Sequence, residues 1–413
     1  MLSFVQSWFV PGANPVGIDI GAECLRLAQV EKINGDHRLI AAASAEIPLK
    51  VRGNPAERMA YFARTLKELW ARGNFRGRRA VLAIPAGETA LQHLRLPRMS
   101  DETLQKALPW ESRGKLPFDP AEASLRHIIA GEVYQDHEPR NEVILMAAKN
   151  AVIEQLLSAA ASARLEVVGM NVQPKALVDC FLNIYRRKAD ADITNCIVDI
   201  GSSATRAIVA RGGKILFARS IPIGGEDFSR AVAAELQIRL DEARQLRIVL
   251  SNAPDEEGDR DGIPVMSSAP IGPTLQSRAI ETDGGGGVAT IAAPHVAPAQ
   301  RRHRRSMVEQ VVREPLERLA EELTLCRRYH EAAFPERPIQ RLIFVGGEAR
   351  NRRLCQSLAK ELDLAAQIGD PMARMSRTTE IGIESGIDRR CPQPAWAVAI
   401  GSSMGSLVPG SEP

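Results

Sequence analysis

Aromatic residues are scarce in this chain, at 4% of 413 positions, which argues against a broad base-stacking surface for single-stranded nucleic acid. An excess of charge of one sign is lacking too. With 53 Lys and Arg against 50 Asp and Glu the formal net charge is +3, too near balance to point to a nucleic-acid partner. The six cysteines (Cys24, Cys180, Cys196, Cys326, Cys355 and Cys391) are scattered and form no Cys-x-x-Cys pair. That speaks against a zinc site or a disulfide framework and for free thiols in a reducing compartment. No window approaches the roughly 20 apolar residues of a membrane span. The apolar stretch Met1 to Val10 is short and lacks a basic n-region, so it is read as a tail that packs, frays or touches a membrane surface lightly rather than as a secretory signal. The expected location is cytoplasmic.

What is present is ordinary for a globular chain, with 45% apolar and 25% charged residues. The length exceeds what one hydrophobic core usually supports, so two or more domains are expected. One phrase occurs twice, as Val16-Gly-Ile-Asp-Ile-Gly21 and as Ile197-Val-Asp-Ile-Gly-Ser-Ser203. Each time an apolar run reaches an aspartate, turns on a glycine and returns as a second apolar run, through Leu25, Leu27 and Val30 or through Ala207, Ile208 and Val209. The pattern predicts a β-hairpin with a carboxylate and backbone N–H groups at its tip. Two such hairpins, each opening its own half of the chain, predict two related half-domains facing each other across a cleft.

Periodicity places the elements between them. Met59, Phe62, Leu66 and Leu69 predict a helix, and Leu39 to Ile47, Arg79 to Pro85 and Thr89 to Leu96 predict strands. Ser100 is an N-cap for a helix carrying Leu104, Ala107 and Leu108. Asn141 to Lys149 is a strand and Val152 to Ala163 a helix, so residues 80–165 form a small α+β unit inserted in the first half. Leu165 to Met170 returns as a strand, and Lys175 to Arg187 is helical. In the second half a helix is expected from about Phe228, a long one through Val308, Leu316, Leu323 and Tyr329, a strand over Ile339 to Val345, and a last helix from Pro394. Residues 251–305, with clustered Pro, the run Gly284 to Gly287 and acidic Asp255 to Asp261, cannot offset their ordering entropy and are expected to be a disordered surface loop. Its end, Arg301 to Arg305, is a basic cluster that reads as a solvated linker end or as a site for an acidic partner.

Backbone N–H groups at a hairpin tip can cradle phosphate oxygens where no side chain blocks approach, which is the reading given to Gly21 and Gly201. A carboxylate beside each tip can hold Mg²⁺ through its water shell, and Asp19 and Asp199 are the natural pair. Ser202, Ser203 and Thr205 add hydroxyl donors. Gly346, Gly347 and Glu348 leave a strand through two glycines that let the chain lie flat against a nucleoside, and Gly224, Gly225 and Glu226 repeat the device. Singly, each of these turns is as well explained by structure alone; their order is what is specific.

In that order, Asp19-Ile-Gly, Gln173-Pro-Lys-Ala-Leu177, Asp199-Ile-Gly-Ser-Ser, Gly346-Gly347 and Ala397-Val-Ala-Ile-Gly401 resemble the phosphate-1, connect-1, phosphate-2, adenosine and connect-2 motifs of the actin-like ATPase superfamily. The inserted unit, with Leu104-Gln-Lys-Ala-Leu-Pro-Trp-Glu111, Lys115-Leu-Pro-Phe-Asp-Pro120 and Ala147-Ala-Lys149, is similar to that of the type IV pilus assembly PilM family. The resemblance spans nearly the whole chain except residues 251–305. It implies a two-lobed α/β fold: a first-lobe core from residues 1–80, about 165–195 and 388–413, and the insertion at 80–165. The second-lobe core takes 195–228 with 335–388, and its outer part 229–334.

The resemblance further implies a cytoplasmic adaptor at the inner face of the membrane that binds ATP and Mg²⁺. Its partners would be the cytoplasmic tail of a PilN-like inner-membrane protein and, through it, other pilus assembly proteins, with no nucleic acid and only peripheral membrane association. Gly21, Ala22, Glu23 and Arg247 would then join the nucleotide site, and Gln173 would position water. The pattern departs from the family at three places. Ala22-Glu23-Cys24 stands where small hydroxyl residues are usual, and a carboxylate there repels a triphosphate unless it turns away or helps hold the metal. Gln173 replaces a Glu and is a poor general base, and Ala243-Arg244-Gln-Leu-Arg247 replaces Ala-Glu-x-x-Lys. Hydrolysis is accordingly expected to be weak or absent. Two alternatives stay open: an FtsA-like division or cytoskeletal protein, and an active ATPase or phosphotransferase using Asp19 or Glu23.

Overall fold

The computed structural model describes residues 13–185, 188–252, 298–376, 381, 385–388 and 390–405. The first half begins β1 (Val16–Ile20), β2 (Cys24–Ile33), β3 (Asp36–Glu46), α1 (Leu49–Arg52), α2 (Pro55–Arg72) and β4 (Arg79–Ile84). The insertion follows as β5 (Ala90–Pro97), α3 (Asp101–Glu111), β6 (Ala123–Gln135), β7 (Glu138–Lys149) and α4 (Asn150–Ser162). The chain returns through β8 (Glu166–Val172) and α5 (Gln173–Leu182), and α6 (Lys188–Ala191) leads into the second half. There come β9 (Thr194–Ile200), β10 (Thr205–Arg211), β11 (Lys214–Ile221), α7 (Gly225–Leu236) and α8 (Leu240–Asn252). The chain then runs α9 (Pro298–Ala333), β12 (Arg341–Val345), α10 (Arg352–Glu361), β13 (Ala366–Ile368) and α11 (Ala397–Gly405).

The two halves share one plan. Their five-stranded sheets are ordered β3-β2-β1-β4-β8 and β11-β10-β9-β12-β13. In both, the first three strands are antiparallel and the rest join in parallel. Every residue of β1 and of β9 is buried. Both strands lie in the middle of covered sheets, so the stretches leading to the aspartate, Val16 to Ile18 and Cys196 to Val198, carry no charged or polar side chain.

The largest core cluster joins the halves through α5 and α11, with Leu177, Phe181, Trp396 and Ile400 fully or almost fully buried. Close approach of these helices needs a glycine: a Cβ on Gly401 would stand 1.9 Å from the Ala176 carbonyl oxygen. The insertion forms a separate three-stranded sheet, β5-β7-β6, covered by α3 through Leu104 and Leu108. A polar cluster around the buried Glu142 ties it to the second half. Glu142 on β7 accepts from the Tyr329 hydroxyl on α9 at 2.6 Å and from Arg95 Nε at 3.0 Å, and meets His93 Nδ1 at 2.8 Å.

Some expectations change. β6, β11, α10 and β13 have no counterpart among the predicted elements, α5 ends at Leu182 instead of Arg187, and α7 begins at Gly225, ahead of Phe228. Of the tract expected as a loop, residues 298–305 are helical, as the start of α9. The remainder of that tract from 253, the tail Met1 to Val10 and residues 406–413 lie outside the described residues. No helix among the described residues is long and apolar enough to cross a membrane.

Candidate functional site

The two hairpin tips face each other across an open cleft. Asp19, Gly21, Ala22, Glu23, Gln173, Asp199, Gly201, Ser202, Ser203, Gly346 and Gly347 all line it. Thr205, Gly224, Gly225, Glu226, Arg247 and Glu348 lie outside this lining.

The tips are closed in the same way. The Gly21 amide donates to the Cys24 carbonyl at 3.1 Å, and the Gly201 amide donates to the Ala204 carbonyl at 3.0 Å. These two N–H groups therefore serve the turns, which leaves residues 22–23 and 202–203 as the tip residues lining the cleft whose amides are not used in this closure. Neither glycine has a positive φ. A Cβ would instead stand 2.8 Å from the Cys24 oxygen in one hairpin and 3.0 Å from the Ala204 oxygen in the other. Glycine is required by the turn itself, a correction to the expectation that it makes room for a phosphate.

The second tip is braced from behind by the first turn of α7. The Gly225 amide donates to the Gly201 carbonyl at 2.9 Å and the Glu226 amide to the Ser202 carbonyl at 2.8 Å. A Cβ on Gly224 would lie 2.5 Å from the Ser202 carbonyl oxygen and 2.7 Å from that of Gly201. The Glu226 side chain pairs with Arg230. The Gly224-Gly225-Glu226 segment thus supports the loop and does not itself face a ligand. Thr205 is corrected likewise: fully buried, its hydroxyl donates to the Ile223 carbonyl at 2.8 Å.

The nucleoside-side residues divide. Gly346, at φ +91°, lies where a Cβ would be 2.4 Å from the Ile200 oxygen and 2.5 Å from Asp199 Oδ1, so glycine is required twice over. Gly347 faces open space. Arg247 and Glu348 are occupied with each other, Nη2 to Oε2 at 2.5 Å, while Arg247 Nη1 donates to the Gly225 carbonyl and the Ser229 hydroxyl at 2.8 Å each. Buried Arg247 thus clamps α8 to the start of α7 while Glu348, after β12, holds its other nitrogen, a structural use of both residues in place of the direct nucleotide contact expected of them.

Electrostatics separate the two aspartates. Asp199 Oδ2 accepts from Arg206 Nε at 2.9 Å and stands 2.7 Å from its Nη2. Asp19 meets Arg26 only at 3.7 Å, and its Oδ1 is buried with no hydrogen-bond partner among the described residues. Burial pushes the Asp19 carboxyl up to about 6, opposed by Arg26 and reinforced by the facing Asp199. Two water-bridging carboxylates for Mg²⁺ were expected here; with Asp199 already held by a guanidinium, the pair does not fit that shell.

Glu23 lines the cleft with its carboxylate already taken up. Its Oε1 lies 2.7 Å from Arg52 Nη1, and its Oε2 accepts from Arg244 Nε at 3.0 Å and lies 2.9 Å from Nη2. Burial raises its pKa, but Arg244, the Ser202 hydroxyl and Arg52 outweigh burial and hold it below the ordinary glutamate value. Because Arg244 is on α8 and Glu23 on the first hairpin, the carboxylate bridges the two halves. Gln173, at the start of α5, is buried with its Oε1 unpartnered among the described residues and lines the cleft.

Arg26, Arg206, Arg58 and the turn Pro85 to Glu88 also line the cleft, and none of them was picked out by sequence. The signal for the first two was available: both hairpins read Asp-Ile-Gly, four residues, then Arg.

A family model described as type IV pilus assembly protein PilM matches residues 17–257, more than half of the chain. One described as cell division protein FtsA matches residues 196–401. Cell division protein FtsA of Bacillus subtilis (strain 168) is 25% identical over 122 residues, 30% of this chain and 27% of that protein. FtsA of Rhizobium meliloti (strain 1021) is 24% identical over 264 residues, 62% of this chain and 49% of that protein. The chain therefore matches about half or less of the length of these curated relatives. Among solved structures, a PilM-PilN type IV pilus biogenesis complex superposes with a TM-score of 0.70 at 20% identity, covering 97% of this chain and 100% of that one. The ethanolamine utilization protein EutJ from Carboxydothermus hydrogenoformans superposes with a TM-score of 0.50 at 14% identity, covering 95% and 90%. With the duplicated sheets and the inserted α+β unit, these likenesses establish a two-lobed actin-like fold, and the chain belongs to the type IV pilus assembly protein PilM family.

Proposed function

We propose that the chain is a nucleotide-binding adaptor of type IV pilus assembly, working in the cytoplasm at the inner face of the membrane. It binds the cytoplasmic tail of a PilN-like inner-membrane protein, and through it the other pilus assembly proteins. The observation that carries the reading is the cleft between two equivalent hairpin tips. The phosphates of ATP lie between the amides of residues 22–23 and 202–203, with the Ser202 and Ser203 hydroxyls beside them and Gly346-Gly347 against the nucleoside. Cleft contacts come from both halves, so nucleotide binding biases their separation, and that bias tunes affinity for the partner.

Hydrolysis is slow or absent. Gln173 can orient a water by hydrogen bonding, but as a general base it is far weaker than a carboxylate. Isothermal titration of a peptide copied from the cytoplasmic tail of a PilN-like inner-membrane protein, with and without ATP, tests the proposal. Saturable binding whose affinity shifts about fivefold or more with nucleotide supports it; no binding in either condition removes the adaptor function.

The FtsA match over residues 196–401 favours a second reading, a filament-forming division or cytoskeletal protein. Electron microscopy with nucleotide on lipid vesicles separates the two, since only the second predicts filaments.

A further inference from the structure

The repeated phrase extends beyond its glycine. In the first hairpin it reads Asp19-Ile-Gly-Ala-Glu-Cys-Leu-Arg26, in the second Asp199-Ile-Gly-Ser-Ser-Ala-Thr-Arg206. Antiparallel register sets Asp19 directly opposite Arg26 and Asp199 directly opposite Arg206. Residues paired this way project to the same face of the sheet, here the face that lines the cleft. Each guanidinium also stands over its own glycine. A Cβ on Gly201 would lie 3.1 Å from Arg206 Nη2, and one on Gly21 would lie 3.9 Å from Arg26 Nη1.

Resting on the nucleotide reading above, we infer that the cleft takes its nucleoside polyphosphate without a divalent cation, Arg206 and Arg26 supplying the countercharge at the two hairpin tips. A metal ion in such a cleft would neutralise the phosphates and bridge them to carboxylates. A guanidinium seated on a carboxylate does both. It carries five N–H donors in a fixed plane; Asp199 Oδ2 engages the Nε and Nη2 side, which leaves donors for a phosphate oxygen. The Asp199 and Arg206 side chains are only 5% and 11% exposed. A dication brought beside them would find Asp199 Oδ2 already taken and the Arg206 guanidinium, a like charge little screened by water, at close range. Arg26 is held more loosely, at 3.7 Å from Asp19 and 21% exposed, and is free to follow the phosphates.

The test is equilibrium titration of the full chain with a fluorescent ATP analogue, in excess Mg²⁺ and in excess EDTA. The expected result is the same dissociation constant in both, to within a factor of about two, and a loss of roughly tenfold or more for Arg206→Ala in EDTA, partly restored by Mg²⁺. Arg206→Lys keeps the charge without the planar fork, so it should bind less tightly than the native chain and remain indifferent to Mg²⁺; circular dichroism checks that both variants are folded. Native binding that appears only with Mg²⁺ overturns this inference and leaves the nucleotide reading intact. No binding in either condition overturns both.

Discussion

The two Asp-Ile-Gly hairpins have the same register, the same closing hydrogen bond and the same Asp-to-Arg pairing, yet they hold their charges in opposite ways. In the second, Asp199 is gripped by Arg206 and the loop rests on the first turn of α7. In the first, Asp19 keeps a buried oxygen without a partner, while Glu23 at the tip reaches out to Arg52 and Arg244. A preformed ligand site favours the braced loop, whereas a loop tied to the opposite half by an ion pair is suited to respond when the halves move. One duplicated motif has thus come to supply a rigid jaw and a latched one.

Substituting the aspartates should break the symmetry most sharply. Asp199→Asn leaves a buried guanidinium half-paired and should cost about 3–5 kcal/mol in denaturant unfolding. Asp19→Asn should do the reverse. Its carboxyl titrates near 6 in the folded chain against 3.8 ordinarily, so the folded state holds the proton more tightly than the unfolded. The stability this gives is fully present below pH 4 and lost as pH rises through 6. At pH 8 Asp19→Asn should therefore stabilise the fold by on the order of 2–3 kcal/mol, and at pH below 4 it should change little.

Gly224→Ala drives a methyl group into the backbone of the second tip and should cost about 2 kcal/mol together with most nucleotide affinity; the first tip is held instead by Arg58 on the Gly21 carbonyl and by the Ile47 amide on the Glu23 carbonyl. Thr205→Val should cost about 1 kcal/mol by removing a buried hydroxyl bond, with nucleotide affinity unchanged, because the hydroxyl does not face the cleft. Glu23→Ala leaves Arg52 and Arg244, each only about one-fifth exposed, without their shared carboxylate and should cost roughly 1–3 kcal/mol, less than Asp199→Asn because these side chains are less deeply buried. It should also alter nucleotide affinity by freeing Arg244 and Arg52 at the rim of the cleft. The contribution of Glu23 to stability should be present at neutral pH and disappear as pH falls through its lowered pKa.

Legibility in the sequence followed the range of the interactions involved. The hairpins, α2, α3, α4 and the paired helices α5 and α11 announce themselves through a repeat or through local periodicity. β6 does not: its alternation is broken by an irregularity between Ile129 and Gly131, and its turn uses Asp136 and His137 at φ +53° and +67° where Asn-Gly would have been the signal. β11 hides for another reason, since Ile215 to Ala218 is buried on both faces and shows no alternation.

At the site, the turn-forming Asp and Gly residues were visible. The difference between a glycine that faces a ligand and one that lets a helix pack under a loop was not, which is why Gly224 and Gly225 were read with the wrong role. The arginines were missed because pairing seven residues apart means nothing until the register of a hairpin is known. The contact between Glu23 and Arg244 spans 221 positions and exists only in the folded chain.

The most direct test of the central claim, that the two tips form one phosphate clamp, is a crystal structure of the chain at saturating ATP. The account predicts phosphate density between the amides of residues 22–23 and 202–203, with the Glu23 to Arg244 pair loosened and the second tip unmoved on α7. A cleft without nucleotide, with both ion pairs as they stand here, would contradict it.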